Sequence, residues 1–234
     1  MGYFLILIRL PLIVIHIVLG LIILIFFPTN NLKLKPLHHK ISQMWMKILS
    51  LLFGFNVIQL GSLDNCADIF ISNHVTLFDI IILQSIVPVN FVAKSEIKNW
   101  PIVGHLSSKT GTIFINRGDA SDNEEVINTI KKYIQLKKKV VIFPEGRIGD
   151  GLKIKKFHSK LLESISNTGD ITQPVFIHYP INYPIDNQND IKICWADKSQ
   201  TLIKIAIRCM SKVRTDVIIK FHEPIGCNED AYTL

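Results

Sequence analysis

Hydrophobic and polar positions divide the chain into two parts. In the first part, residues 3–27 are almost wholly apolar, and residues 41–55 form a shorter apolar run. A helix of about 20 apolar residues crosses the hydrocarbon layer of a membrane, so the first run is long enough to span it. The second run is short for a span and suits a helix at the membrane interface. These two runs fit either one true span or a helical pair that dips into one leaflet.

From residue 57 onward, short apolar runs alternate with segments of helical periodicity. Strands that alternate with helices are typical of a largely parallel sheet that is covered on both faces. We therefore predict an α/β fold, a largely parallel mixed sheet flanked by helices over residues 57–234, behind an N-terminal membrane-associated helix pair in residues 1–56. The predicted strands are 57–60, 68–72, 90–93, 112–116, 140–143, 175–179, 191–195 and 217–222. The predicted helices are 79–86, 122–136, 156–165 and 201–213.

Positive charge is concentrated beside the apolar N-terminal runs. Residues 1–63 contain five basic and no acidic residues, whereas the rest of the chain is nearly balanced. A nucleic-acid-binding protein carries its basic charge on the folded body, but a membrane-surface protein carries it beside its apolar segment. We therefore expect a membrane partner and no nucleic acid. Basic residues on the C-terminal flank of the first run favour a cytoplasmic location for that flank.

The four cysteines are scattered along the chain and form no C-x-x-C pair. No histidine stands at metal-ligand spacing from them. We therefore expect reduced thiols, which suit a cytoplasmic domain, and no metal site.

A histidine and an aspartate stand where a predicted strand passes into a predicted helix. On one continuous helix, His74 and Asp79 would point about 140° apart and could not meet. If His74 lies in the turn and Asp79 in the first helical turn, the carboxylate can reach one imidazole nitrogen. The other nitrogen would then be free to act as a base near neutral pH. The alternative is a capping aspartate beside an incidental histidine.

Three other charged residues follow predicted strands, where ligands gather in parallel sheets. Lys94 is either a phosphate ligand or a solvated surface lysine. Arg117 has the planar fork that suits bidentate phosphate binding, although an arginine after a strand also forms surface ion pairs. Glu145 lies in a Pro-Glu-Gly turn that displays its carboxylate at the end of a buried strand.

Four sequence blocks occur in one order: N-H-x4-D at residues 73–79, G-x-I-F-I-x-R at 111–117, F-P-E-G at 143–146 and Q-P-V at 173–175. Together they closely resemble the glycerolphosphate acyltransferase superfamily. Within it, the chain is most similar to the bacterial 1-acyl-glycerol-3-phosphate acyltransferases and the lyso-ornithine-lipid acyltransferases. The resemblance covers residues 57–225, and an N-terminal apolar helix pair is also typical of the family.

The resemblance implies a direct transfer of an acyl group to a lysolipid hydroxyl. His74 would take the proton of that hydroxyl, and Asp79 would fix the imidazole tautomer. The donor would be acyl-CoA or acyl carrier protein, used as a co-substrate with no other cofactor and no metal. The implied location is the inner membrane of a bacterium, with the catalytic domain on the cytoplasmic side.

The same resemblance implies an acceptor site. Arg117, aided by Lys94, would hold the acceptor phosphate, and Gly111 belongs to the same block as Arg117. Glu145 and Gly146 would shape the site.

The chain departs from the family after F-P-E-G. The family continues with hydroxyl residues, whereas Arg147, Ile148 and Gly149 follow here. Arg147 would supply an extra cation in place of the missing hydroxyls. Two acceptors therefore stay open, lysophosphatidate and a lyso-aminolipid such as lyso-ornithine lipid. A membrane-anchored scaffold without catalysis is the alternative of another class, and its signature would be loss of His74 or Asp79.

Overall fold

A computed structural model of the chain describes residues 1–28, 30–115, 120–158, 162–163, 165, 170–185, 188–195 and 199–226. Its helices are α1 (Gly2–Ile23), α2 (Pro36–Phe53), α3 (Phe78–Ile86), α4 (Val103–Lys109), α5 (Ala120–Gln135) and α6 (Leu202–Ser211). Short 3-10 turns occupy Leu24–Phe26, Asn31–Lys33 and Ser95–Asn99. The strands are β1 (Phe55–Leu60), β2 (Ile69–Ser72), β3 (Asn90–Lys94), β4 (Ile113–Ile115), β5 (Val140–Ile142), β6 (Ile171–His178), β7 (Thr215–Phe221) and β8 (Ile225–Gly226).

The strands form one sheet in the order β1-β7-β6-β2-β5-β3-β4, and β8 pairs with β6. All pairs along this path are parallel except the antiparallel pair of β6 with β7, and β8 is also antiparallel to β6. The predicted mixed, largely parallel sheet is confirmed. Because β2, β3, β4, β5 and β6 run in one direction, their carboxyl ends meet at one edge of the sheet.

Helices cover the two faces of the sheet with separate apolar cores. One core includes Phe78 and Ile82 of α3 and Ile205 of α6, all of them buried. The other core includes Ile130 and Ile134 of α5. The α3 and α6 face also receives the N-terminal helices, since α2 packs on α3 and α1 packs on α2 and α6.

The helix α1 lies along the rest of the molecule. Near its middle, Ile13 is buried with Leu49 of α2 and Met210 of α6. Further along, the ring of His16 stacks on that of Trp45 with centroids 4.7 Å apart, and the Trp45 indole N–H donates to the His16 carbonyl over 3.2 Å. Among the described residues, one helical stretch, Gly2–Phe26, is long and apolar enough to cross a membrane, and most of it is exposed.

The only charged side chain of α1 joins it to the end of α6. The Arg9 guanidinium donates to the carbonyl oxygens of Met210 (3.0 Å), Lys212 (2.5 Å) and Val213 (2.9 Å). The last carbonyls of a helix have no partner within the helix and carry partial negative charge, so a cation there is favourable. The end of α2 makes room for this contact at Gly54, where an added Cβ would lie 2.6 Å from the guanidinium nitrogens.

Two sequence predictions differ from the structure. The predicted strand at residues 191–195 is wrong, because these residues form turns. The Asp190 carboxylate accepts from the backbone N–H of Lys192 (3.0 Å), and the Asp190 carbonyl accepts from that of Ile193 (2.8 Å). An aspartate that satisfies the following backbone in this way competes with strand pairing. Of the predicted helix at 156–165, residues 156–158 are not helical and most of the rest lies outside the described residues.

We predict that Arg9→Met destabilises the fold. Hydrogen bonds to charged groups contribute about 1.5–3 kcal/mol each, and the variant removes several at one helix end. We expect the free energy of unfolding, measured by urea denaturation in detergent with circular dichroism, to fall by about 2–3 kcal/mol. Lys47→Met is the matched control, because it removes an exposed cation from α2. Equal stability of the two variants would contradict the docking of α1 through Arg9.

Candidate active site

Strand register places His74 beside Glu145. The neighbouring parallel strands β2 and β5 pair Ile71 with Ile142. His74 and Glu145 each follow these partners by three residues, so both arise at the same height on the carboxyl edge of the sheet. The His74 backbone N–H donates to Glu145 Oε1 over 3.1 Å.

His74 and Asp79 are paired as the sequence predicted. His74 lies in the turn after β2 and Asp79 in the first turn of α3, and the distance from His74 Nδ1 to Asp79 Oδ2 is 2.8 Å. Because a carboxylate is an acceptor, this contact places the imidazole proton on Nδ1 and leaves the lone pair on Nε2. No described residue makes a hydrogen bond to Nε2. The arrangement is that of a histidine held ready to accept a proton.

The Asp79 carboxylate is completely buried and has four donors. Its Oδ2 atom accepts from His74 Nδ1 and from the backbone N–H groups of Val75 (2.7 Å) and Thr76 (3.0 Å). Its Oδ1 atom accepts from the hydroxyl of Tyr179 over 2.8 Å. A buried carboxylate is costly unless it is hydrogen-bonded, so these contacts stabilise the carboxylate and fix its position.

Sequence reasoning missed the role of Tyr179, which follows β6 directly. Its side chain is fully buried, and burial, reinforced by the neighbouring Asp79 carboxylate, raises the pKa of the Tyr179 hydroxyl well above its usual value. The hydroxyl therefore stays protonated and remains a donor. The available signal was a tyrosine at the carboxyl end of a buried strand, where its polar tip needs a partner.

The loop that carries His74 is held on several sides. The side chain of Asn73 accepts from the Ile177 backbone N–H (2.8 Å) and donates to the Ile177 carbonyl (2.9 Å), so it extends the pairing of β2 with β6. The His74 ring stacks on Phe143 with centroids 4.1 Å apart. These contacts fix the imidazole before any ligand arrives, as a preorganised site requires.

Glu145 anchors the loop around His74. It is buried, and while Oε1 accepts from His74, Oε2 accepts from the Lys155 backbone N–H over 3.0 Å. The Gly149 N–H donates to the His74 carbonyl over 2.6 Å, and an added Cβ at Gly149 would lie 3.2 Å from that oxygen. Gly146 forms the turn between them with φ +66°. Both Glu145 oxygens are thus used inside the protein.

The remaining predicted site residues do not all lie at the edge of the sheet that carries His74. Lys94 is exposed at the carboxyl end of β3, on the edge that carries His74, and Arg147 is exposed directly after Gly146. Arg117 lies outside the described residues. Gly111 precedes β4 and so lies at the opposite edge, with φ +97°, and an added Cβ there would clash with the Asn90 side chain. The structure thus places Gly111 in a turn, away from the edge that carries Lys94, His74 and Glu145.

An apolar cavity of about 390 Å³ lies between α1, α2, α3, α4 and α6. Its walls include Leu77 and Phe78, the two residues before Asp79, and Phe91. The Phe91 ring lies parallel to that of Phe143, with centroids 6.1 Å apart, and Phe143 stacks on His74. The shape and lining of this cavity suit an alkyl chain. Among the residues that the structure describes, no cluster of His, Cys, Asp and Glu is placed to hold a metal ion.

We predict that Glu145→Gln destabilises the loop around His74. An amide has one oxygen and one NH₂ group, so one of the two backbone N–H donors would face another donor. A buried donor left without an acceptor costs about 1–3 kcal/mol, and we expect the free energy of unfolding to fall by that amount. Arg147→Gln, in the same turn but exposed, is the control and should leave stability unchanged. A Glu145→Gln variant as stable as this control would contradict the anchoring role.

Comparisons with known proteins identify the family of the chain. The family model described as "Acyltransferase" matches residues 60–178. The chain is 31% identical to the lyso-ornithine lipid O-acyltransferase of Pseudomonas aeruginosa, over 62% of this chain and 55% of that protein. It is 34% identical to the 1-acyl-sn-glycerol-3-phosphate acyltransferase of Neisseria meningitidis, over 70% of this chain and 63% of that protein.

The fold also has a solved counterpart. The crystal structure of the 1-acyl-sn-glycerophosphate acyltransferase of Thermotoga maritima superposes with a TM-score of 0.66 at 20% identity, covering 96% of this chain and 85% of that one. The alignments with the two sequence relatives span less than two thirds of those proteins. Since the family model covers half of the chain and the matched region contains His74, Asp79 and Glu145, the chain belongs to the acyltransferase family.

Proposed function

We propose that this protein is an O-acyltransferase that moves a fatty acyl group from an acyl thioester to the free hydroxyl of a lysophospholipid. The simplest reaction converts 1-acyl-glycerol-3-phosphate to phosphatidate. The observation that carries the proposal is the 2.8 Å contact between His74 and Asp79, with the carboxylate buried under four donors. Family membership and the named activities of the two relatives support it.

The chemistry follows from the position of the imidazole proton. His74 Nε2 accepts the proton of the acceptor hydroxyl while the oxygen attacks the thioester carbonyl carbon. The carbon–sulfur bond then breaks, and the imidazolium returns the proton to the leaving sulfur, which departs as a thiol. Asp79 stabilises the imidazolium through Nδ1 and keeps the tautomer correct, as in a catalytic triad that lacks its serine. The acyl group passes directly to the acceptor.

The apolar cavity supplies a place for an acyl chain. It borders Leu77 and Phe78, next to the Asp79 carboxylate, and its other walls come from α1, α2, α4 and α6. A chain held there would place its carbonyl end towards the carboxyl edge of the sheet. The donor is acyl-CoA or an acyl carrier protein, which approaches this edge from the aqueous side.

Cations at the same edge would bind the acceptor headgroup. Lys94 and Arg147 are exposed there, and the family resemblance assigns Arg117 to the same headgroup. Guanidinium and ammonium groups are the usual protein ligands of phosphate. Because Glu145 uses both oxygens internally, we assign it to holding the site rather than to binding the headgroup.

The exposed apolar surface of α1 supports a membrane location, and we place the domain on the cytoplasmic side of a bacterial inner membrane. Three contacts hold α1 along the domain: Arg9 with the end of α6, Ile13 in a small apolar core, and His16 with Trp45 of α2. A helix held in this way lies in one leaflet beside the domain, which favours the helical pair over a true span.

A lyso-aminolipid is the second candidate acceptor. The family hydroxyls after Gly146 are replaced here by Arg147, Ile148 and Gly149, and the Gly149 N–H is used by the His74 carbonyl. The relative from Pseudomonas aeruginosa is named for acylation of lyso-ornithine lipid. Purified protein supplied with each lyso acceptor and labelled acyl-CoA or acyl carrier protein separates the two. Product from the aminolipid alone would refute the phosphatidate reaction.

We predict that His74→Ala abolishes turnover without unfolding the protein. General acid–base catalysis contributes about 10²–10⁴ in rate, so we expect loss of that order with an unchanged circular dichroism spectrum. His105→Ala, which removes an exposed histidine of α4, is the control. A folded His74→Ala variant with full activity would show that another group is the base, whereas a wild-type protein without activity on any acceptor would favour the scaffold.

We predict that Tyr179→Phe lowers kcat with little change in KM. The substitution keeps the ring and removes the donor to Asp79 Oδ1, so the carboxylate loses one of its contacts. Loss of one hydrogen bond to a charged group is worth about 1.5–3 kcal/mol, which corresponds to a decrease of about tenfold to a hundredfold if it falls wholly on the transition state. Unchanged kcat in a stably folded variant would restrict Tyr179 to packing.

A further inference from the structure

The surface beside the N-terminal end of α1 is basic. A depression of about 690 Å³ is lined there by residues 181–182, 190–192, 208 and 212–214. Its described lining contains four cations, Lys192, Arg208, Lys212 and Arg214, and one carboxylate. That carboxylate, Asp190, contacts Lys212 at 2.7 Å and Arg208 at 3.9 Å, and Arg214 pairs with the Asp216 carboxylate over 2.9 Å. Four cations thus face two carboxylates, and the described lining keeps an excess of positive charge.

Exposed apolar side chains lie on α6 and in the lining of the depression. Ile203 and Ile207 are four residues apart on α6 and share one face, with 71% and 45% of their surface exposed. Val213, in the lining of the depression, is 61% exposed. The opposite face of α6, with Ile205 and Cys209, is buried in the core. The outer face of the helix therefore carries apolar side chains too, beside the exposed Lys204.

This surface is continuous with that of α1. Arg9 donates to the carbonyl oxygens of Lys212 and Val213, at the edge of the depression. At the start of α1, an added Cβ at Gly2 would lie 3.2 Å from the Ser211 carbonyl oxygen. The outward side chains of α1 are apolar and exposed, for example Leu7 at 73%. Apolar surface thus passes from one helix to the other, with the cations beside it.

We infer that α6 and the basic depression form a second bilayer-contact surface, with Ile203 and Ile207 in the interfacial layer and the cations on anionic phospholipid headgroups. Apolar side chains flanked by cations are the pattern of helices that lie on anionic membranes. Continuity with α1 and the excess positive charge favour a bilayer over a soluble partner. The inference rests on the membrane location proposed above.

The surface has a consequence for the lipid path. Leu202, Ile203 and Ala206 of α6 also line the apolar cavity. Contact of α6 with the bilayer would place one wall of that cavity at the lipid interface. A lipid chain could then reach the cavity without crossing water.

The test measures where single fluorophores lie in proteoliposomes of phosphatidylcholine with phosphatidylglycerol. An environment-sensitive label is attached to a cysteine introduced at position 203 or 207, one position per variant. The full-length protein also carries Cys66→Ser and Cys227→Ser, so that these native thiols are not labelled. Cys194 and Cys209 can stay, since both are buried and burial raises the pKa of the Cys209 thiol to about 12. Position 15, on α1, is the membrane reference, and position 128, exposed on α5, is the aqueous reference.

Labels at 203, 207 and 15 should be quenched severalfold by lipids with brominated chains and spared by aqueous iodide, while the label at 128 should show the reverse. If iodide quenches the labels at 203 and 207 as it quenches the label at 128, while brominated lipid quenches the label at 15, the second surface is refuted and the location of α1 stands. If iodide also quenches the label at 15, the membrane location fails as well. Shielding of 203 and 207 from iodide only after addition of an acidic carrier protein would assign the surface to a protein and refute the inference.

A charge reversal tests the headgroup contact. Lys192→Glu should reduce the lipid quenching at 207 in anionic vesicles and leave it unchanged in pure phosphatidylcholine. Lys132→Glu makes the same charge change on the exposed part of α5 and should have no effect. Equal behaviour of the two variants in anionic vesicles would refute the role of the depression.

Discussion

The active site depends on one buried carboxylate. Asp79 has no contact with water, so its charge is stable only while its donors stay in place. Those donors come from the turn after β2, through His74, Val75 and Thr76, and from Tyr179 at the end of β6. The parallel pairing of β2 with β6 brings these segments together. The hydrogen bonds that stabilise the Asp79 carboxylate therefore depend on the pairing of β2 with β6, and one of them orients the imidazole of His74.

The sequence was informative where chemistry is local. His74 and Asp79 are five residues apart, and a strand-to-helix turn was enough to predict their contact. Glu145 was predicted from its turn after a buried strand, and it does lie beside His74. Its partners were not predictable, because the register of two strands that are distant in sequence decides that the carboxylate meets the His74 and Lys155 backbone.

Long-range contacts account for the rest. Tyr179 meets Asp79 across 100 residues, and nothing near either position signals the other. Gly111 was grouped with Arg117 because they share a sequence block, yet a short strand separates the two ends of that block. At residues 191–195, apolar composition suggested a strand, but the Asp190 side chain and carbonyl satisfy the following backbone as turns. Arg9 lies within an apolar segment that is long enough to span a membrane, and nothing near it in the sequence signals its partners, the end carbonyls of α6.

The contact of Arg9 with α6 also bears on the order of events during synthesis. Arg9 leaves the ribosome about 200 residues before the carbonyls that it binds. Throughout that interval α1 can pack on α2 but not on α6, because α6 has not yet been made. The hydrogen bonds of Arg9 therefore form only near the end of synthesis, after all the strands from β1 to β6 have left the ribosome. Docking of α1 on α6 is thus a late step of folding, and it fastens the start of the chain to a segment close to its other end.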